Sequence, residues 1–184
     1  MKEIILLKAG EIALKGLNRS TFEDRLVKNC KFRLRDVGSF KFTRAQSTMY
    51  AEPLSEEIDM DDAVETLQHV FGFSKLSRAC VVEKDMDTIC AAAEEYLGRE
   101  LRKIRTFKVE AKRSDKKFPL KSPEIAAEVG GYLLSRFSNL RVDVHEPDLV
   151  IFVEIRDQAA YIHGPQLDGA GGMPVGSSGK AMLL

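Results

Sequence analysis

From Arg102 to Lys121 the chain carries nine lysines and arginines against Glu110 and Asp115, 9 − 2 = +7 over twenty residues, although its formal net charge is zero. The densest part reads "KRSDKKFPLKSPE". It puts Lys112 and Arg113 at the end of an alternating stretch and Lys116, Lys117 and Lys121 in the polar run that follows. Ser122 as N-cap and Pro123 at the first helical position then open a helix, whose N-terminal N–H groups add positive potential. Cations at a strand end beside a helix N-terminus suit a phosphate backbone, and Phe118 among them offers a ring on which a base can stack. A plainer reading stays open at this level: a solvated charged loop, with Phe118 packed inward beside Pro119.

A second stretch invites a different chemistry. "GAGGMPVGSSGKAMLL" ends with Gly179-Lys180, the close of a phosphate-binding G-x-x-x-x-G-K-[ST] loop. Its leading position is Pro174, which has no N–H to give, and Ala181 stands where a metal-binding hydroxyl is needed. As a nucleotide-hydrolase loop it fails on both counts. His69, His145 and His163 are scattered, with no metal-ligand spacing, and Cys30, Cys80 and Cys90 form no C-x-x-C pair. These thiols read as reduced, in a cytoplasmic protein with no membrane-spanning run and no signal peptide. No catalytic residue and no metal site is expected in this chain. The acidic run from Glu52 to Glu65, with no basic residue, includes the first turn of a helix, where the macrodipole accounts for it.

The elements that must position these residues follow from periodicity. "KEIILLKAGE" is a buried strand. Ser20 and Glu23 have capping-box spacing ahead of Phe22, Leu26, Cys30 and Leu34, and Gly38 closes that helix. "SFKFTRA" and "STMYAEP" alternate as hairpin strands. "DMDDAVETLQHVFG" is helical and "SKLSRACVVE" extended, so roughly the first eighty residues run β-α-β-β-α-β, the ferredoxin-like order. A second unit follows. It has a helix with Ile89, Ala93, Tyr96, Leu97 and Leu101 inward, then "TFKVEAK" with Phe107, Val109 and Ala111 on one face and Lys108, Glu110 and Lys112 on the other. The basic loop, a helix carrying Ile125, Val129, Leu133 and Phe137, and closing strands around Leu149–Ile155 complete it. The fold class is α+β.

"GEIALKGLNRSTFE", "TFKVEAKRSDKKFPLKSPEIAAEVG" and "GAGGMPVGSSGK", in this order and spacing, resemble the ThiI-type tRNA sulfurtransferases, the tRNA 4-thiouridine synthetase family. The resemblance implies a ferredoxin-like domain over 1–78 and an α/β THUMP RNA-binding domain over 79–166. Residues 167–184 would be a mobile linker and the start of a truncated ATP-pyrophosphatase (PP-loop) domain. It implies that the two domains hold the acceptor end of tRNA. In the full-length enzyme, ATP with magnesium activates the uridine at tRNA position 8, and a persulfide from a cysteine desulfurase supplies the sulfur, a route that also feeds thiamine synthesis. Carried onto this sequence, the RNA contacts fall to Lys112, Arg113, Lys116, Lys117, Phe118 and Lys121, with support from Lys15 and Arg19. Asp115 and Ser122 shape the loop and cap the helix. Lys180 approaches nucleotide only once the following domain is present. By this resemblance the chain alone binds tRNA and catalyses nothing, and a homodimer is left open. The alternatives are a THUMP module of another tRNA-modifying enzyme, such as a methyltransferase, and a ferredoxin-like interaction module with no RNA role.

Overall fold

The computed structural model describes residues 1–10, 16–177, 179 and 182. In chain order the elements are β1 (Glu3–Ala9), α1 (Arg19–Arg33), β2 (Phe40–Ala45), β3 (Thr48–Pro53), α2 (Met60–Gln68), β4 (Phe73–Val82), α3 (Met86–Leu101), β5 (Thr106–Arg113), α4 (Ser122–Arg136), β6 (Arg141–Val142), β7 (Leu149–Ile155), β8 (Ala160–His163) and β9 (Leu167–Asp168). Two compact units share them: Ile4–Arg78 with Gln166–Leu184, and Ala79–Pro165 with Met1–Glu3. The class is α+β, as the periodicity indicates.

In the first unit the strands lie in the order β2-β3-β1-β4. With α1 after β1 and α2 after β3, this is the ferredoxin-like arrangement. Ile5 and Leu7 on β1, Leu26 and Cys30 on α1, Ala63 and Leu67 on α2, and Phe73 and Leu76 on β4 make its core. Asp59 caps α2, its carboxylate accepting from the N–H groups of Asp61 at 2.8 Å and Asp62 at 3.2 Å. That satisfies two N–H groups the helix cannot pair internally. The β2–β3 hairpin turns on two residues, Ala45 facing Thr48, with Gln46 in the left-handed region at φ 55°.

The Ser20–Glu23 capping box does not form. Asn18 precedes the first turn of α1 without a side-chain cap. Glu23 instead takes hydrogen bonds from Arg19 Nε at 2.7 Å and from Arg44 Nη1, on the hairpin, at 3.3 Å. Two nearby guanidinium partners outcompete one backbone N–H for the same carboxylate.

The segment read as a linker is hydrogen-bonded to the first unit as far as Val175. β9 pairs antiparallel with β4, Lys75 facing Asp168 and Leu76 facing Leu167. Beyond it, Gly169 N–H donates to Ser74 O at 3.0 Å, Gly171 N–H to Phe73 O at 2.8 Å, and Gly72 N–H to Gly171 O at 2.8 Å. Asn29 on α1 then donates to Val175 O at 3.1 Å. A Cβ at position 169 would sit 2.4 Å from the Phe73 carbonyl oxygen, so only glycine lets the two backbones approach this closely.

The second unit has the strand order β4-β8-β7-β5-β6, parallel where β5 meets β6 and β7, antiparallel from β7 to β8 and β8 to β4. The helices α3 and α4 share one core with the inner residues of this sheet: Ile89, Leu97, Phe107, Val129, Ile151 and Val153 are all buried in it. Tyr132 Oη on α4 donates to Glu94 on α3 at 2.7 Å, and Arg136 Nε reaches the same carboxylate at 3.0 Å. Asp148, just before β7, accepts from the N–H groups of Arg105 and Thr106 at 3.0 and 2.9 Å and returns its own N–H to Thr106 Oγ1. This reciprocal pair ties the start of β5 to the start of β7. Among the described residues no helix is long and apolar enough to cross a membrane.

Candidate nucleic-acid interface

The basic loop runs from the end of β5 to the start of α4, and hydrogen bonds to its own side chains and to β7 hold its backbone. Ser114 N–H donates to Ile155 O at 2.9 Å, fastening the loop to β7. Asp115 is buried. Its Oδ1 accepts from Lys117 N–H at 2.9 Å, closing a tight turn, and its Oδ2 takes a charged hydrogen bond from Lys84 Nζ at 2.7 Å. The Lys84 bond first and the Lys117 N–H second hold the Asp115 carboxyl below the usual carboxylate range, so it stays ionised at neutral pH. The same Lys84 ammonium donates to Asp157 O at 2.6 Å, so one cation joins the end of β4, the basic loop and the β7–β8 turn.

Arg113 braces the loop from inside. Nη1 donates to Phe118 O at 2.9 Å and to Leu120 O at 3.4 Å, while its backbone N–H donates to Ser122 Oγ at 3.1 Å. Ser122 is therefore not the N-cap: its hydroxyl is taken by β5, and the capping position passes to Lys121. Glu124 accepts from Lys121 N–H at 2.6 Å. That carboxylate, and the missing N–H of Pro123, leave less bare backbone at this helix start than the sequence suggests. The positive potential rests on side chains.

Those side chains are Lys112, Lys116, Lys117 and Lys121, all exposed. They project from a frame whose own charge is settled internally, Asp115 by Lys84. A held backbone leaves little loop entropy to be lost when the exposed ammonium groups meet phosphates.

Phe118 does not join them. It is only 6% exposed and belongs to the core that also holds Ile125, Val129 and Ile155. Little of the ring is exposed in this structure, which favours the inward-packed reading of Phe118 over base stacking. Burial of apolar surface against Ile125, Val129 and Ile155 favours the inward ring. Arg19 is part of α1, bonded to Glu23 and to Gln46 O in the first unit. Lys15 and Lys180 lie outside the described residues.

Lys84 is the residue that sequence reading missed. It stands 31 positions from Asp115, at no recognisable spacing, and only the fold brings the two together. A buried polar cluster was also invisible. Glu154 accepts from Arg156 Nε at 3.0 Å, and His163 Nε2 lies 3.6 Å from Glu154 Oε1. His163 is 0% exposed, stacks on Phe152 with ring centroids 4.9 Å apart, and donates from Nδ1 to Gly164 O at 2.9 Å. No group of three His, Cys, Asp or Glu side chains among the described residues is arranged to hold a metal ion. Burial pushes the Cys80 thiol up to about 12 and Cys90 to about 11, and drives Cys30 in the same direction, so none is a thiolate at neutral pH.

Comparison with known proteins bears on both units. Residues 4–77 match the ThiI ferredoxin-like domain and residues 83–163 the THUMP domain. Probable tRNA sulfurtransferases of Acetivibrio thermocellus and Alkaliphilus oremlandii are 42% and 43% identical across the whole of this chain, which covers 47% of each. The chain thus spans about half the length of these curated relatives. A crystal structure of a 4-thiouridine synthetase–RNA complex with bound ATP superposes with a TM-score of 0.80 at 31% identity, covering 96% of this chain and 44% of that one. With its two domains in this order and relatives that match it from end to end, the chain belongs to the ThiI-type tRNA sulfurtransferase family.

Proposed function

We propose that this chain is the tRNA-binding portion of a tRNA uracil 4-sulfurtransferase, and that the loop 112–121 grips phosphates near the acceptor end. The observation that carries this reading is the loop itself: four exposed lysines on a frame braced by Arg113, Ser122 and the Lys84–Asp115 pair. The THUMP match and the RNA held by the related 4-thiouridine synthetase support it. The domain limits that go with the reading are 1–78 and 79–166, with the residues beyond leading toward the rest of the protein.

The longer protein would act in the cytoplasm, use ATP with magnesium, and take persulfide sulfur from a cysteine desulfurase to make 4-thiouridine at tRNA position 8, with a link to thiamine synthesis. We assign those steps to the remainder of the longer protein. This chain's own part is to bind and orient the RNA, and alone it is inactive. The test compares tRNA bearing an intact single-stranded 3′ end with a plain RNA duplex of the same stem. Tighter binding of the former supports acceptor-end recognition; equal affinity for both overturns it.

A further inference from the structure

A second cationic surface lies outside the basic loop. Residues 25–35 contain Arg25, Lys28, Lys31, Arg33 and Arg35 and no carboxylate, 5 − 0 = +5 in eleven residues. All five are exposed. On α1 and the single turn that extends it, Arg25, Lys28, Phe32 and Arg35 recur at i, i+3, i+7 and i+10, a single stripe at helical spacing. Leu26, Cys30 and Leu34 point the opposite way, into the core. Phe32 thus occupies the outermost line of the helix and is 63% exposed. The Arg35 guanidinium lies over its ring, 4.5 Å from the centroid, with its Nε also 3.3 Å from the exposed Asp36 carboxylate.

Helix electrostatics explain only part of this. Lys31 and Arg33 sit in the last turn, where the macrodipole favours cations. Arg25 and Lys28 do not, and no dipole calls for a large aromatic at the most solvated position. The carboxylates at the start of α1 are engaged elsewhere: Glu23 by Arg19 and Arg44, Asp24 by Arg44 at 2.8 Å. One border of the stripe is marked by the chain itself, where Asn29 donates to Val175 O. A protein-docking patch is depleted of lysine and of charge at its centre. A row of cations around an aromatic ring, one of whose faces is already stacked by arginine, has the makeup of surfaces that track a nucleic-acid strand.

We propose that the outer face of α1 is a second RNA-binding strip, in which Lys28, Lys31 and Arg35 meet phosphates and Phe32, with Arg35 on one face, stacks on a base. The proposal rests on the reading of the protein as RNA-binding but uses a different unit from the basic loop. What it adds is the outer face of α1, beyond the Lys15 and Arg19 support that the resemblance implies.

The test measures tRNA affinity across a salt series for the 184-residue chain and three variants. These are Lys28→Gln with Lys31→Gln and Arg35→Gln; Phe32→Ser; and Lys116→Ala with Lys117→Ala as a loop reference. All the altered side chains are exposed, and thermal melting checks that each variant folds. If the triple variant melts early, Lys28→Gln alone and ultraviolet crosslinking of bound tRNA to residues 25–35 replace it. The triple variant is expected to flatten the slope of log K against log salt by about 2, at roughly 0.7–0.9 for each phosphate no longer neutralised. Phe32→Ser should weaken binding at least about fivefold at unchanged slope, in keeping with the removal of a base stack. Wild-type affinity and slope in both α1 variants, with the loop variant weakened, overturns the strip and leaves the RNA reading standing. The same result, with the α1 variants destabilising a full-length sulfurtransferase, reassigns the face to a protein contact. Salt-independent or absent binding by the unaltered chain overturns both.

Discussion

Replacing Phe118 by leucine separates two roles that its position among lysines confuses. The ring is 6% exposed and lies in the core of the second unit. Phe118→Ala would remove it at a cost of about 3–5 kcal/mol, on the scale of a small domain's whole stability, and would report only unfolding. Leucine keeps most of the buried volume, and swaps of that kind cost less than about 1.5 kcal/mol. At roughly 4–8 °C per kcal/mol for a domain of 60–100 residues, melting should fall by about 5–10 °C. A ring stacked on a base instead contributes about 1–3 kcal/mol to binding, which is roughly 5- to 150-fold in Kd. Phe118→Leu should therefore lower Tm while leaving the Kd for tRNA within about twofold, measured below the transition. An unchanged Tm with Kd raised more than about tenfold would refute the burial argument and restore Phe118 to the RNA.

Other perturbations test the supporting frame. Lys84→Met removes the ammonium shared by Asp115 and Asp157 O; it should weaken tRNA binding without changing the salt slope, because every lysine that meets a phosphate remains, whereas a slope flattened by about 1 would make Lys84 itself a contact. Gly131 is exposed on α4 and a Cβ there meets nothing within 4 Å, so Gly131→Ala should stabilise the unit by up to about 1 kcal/mol in urea melts; a gain in stability joined to a loss of tRNA affinity would show that RNA approaches the backbone there. The N–H groups of Thr106 and Arg105 hold the Asp148 carboxyl below its ordinary value; backbone N–H groups lower Asp85 and Asp143 too, and Lys84 chiefly lowers Asp115. Folded carboxyls that bind protons less readily than unfolded ones add stability above about pH 4, and lose it as pH falls through their folded values. Asp148→Ala should accordingly be less stable than the parent at pH 7 and lose less on acidification, whereas parallel curves would contradict the assignment.

Local periodicity carried the sequence reading as far as single elements and their order. The alternation of Phe107, Val109 and Ala111 against Lys108, Glu110 and Lys112 places β5, and the apolar spacing in "DMDDAVETLQHVFG" places α2. What escaped were competitions decided by tertiary contact. Ser20 and Glu23 have capping spacing, but Arg44 arrives from the hairpin and takes the glutamate. Ser122 looks like an N-cap, but the Arg113 N–H claims its hydroxyl. Lys84 carries no local sign of its role, because its partners come from two other loops. The glycines after Asp168 read as reach for a linker. At Gly169 glycine is needed for the opposite reason, to let the chain press against Phe73. The candidate interface was legible as charge, and its internal bracing was not.

The central claim is that the braced loop 112–121 binds tRNA through its exposed lysines. The most direct measurement is the affinity of this chain for tRNA as salt is raised, with and without Lys116→Ala and Lys117→Ala. Four lysine–phosphate contacts predict a slope of log K against log salt of roughly −3 or steeper, flattened by about 1.5 in the double variant. Absent binding, a flat salt dependence, or a slope that the double variant leaves unchanged would contradict it.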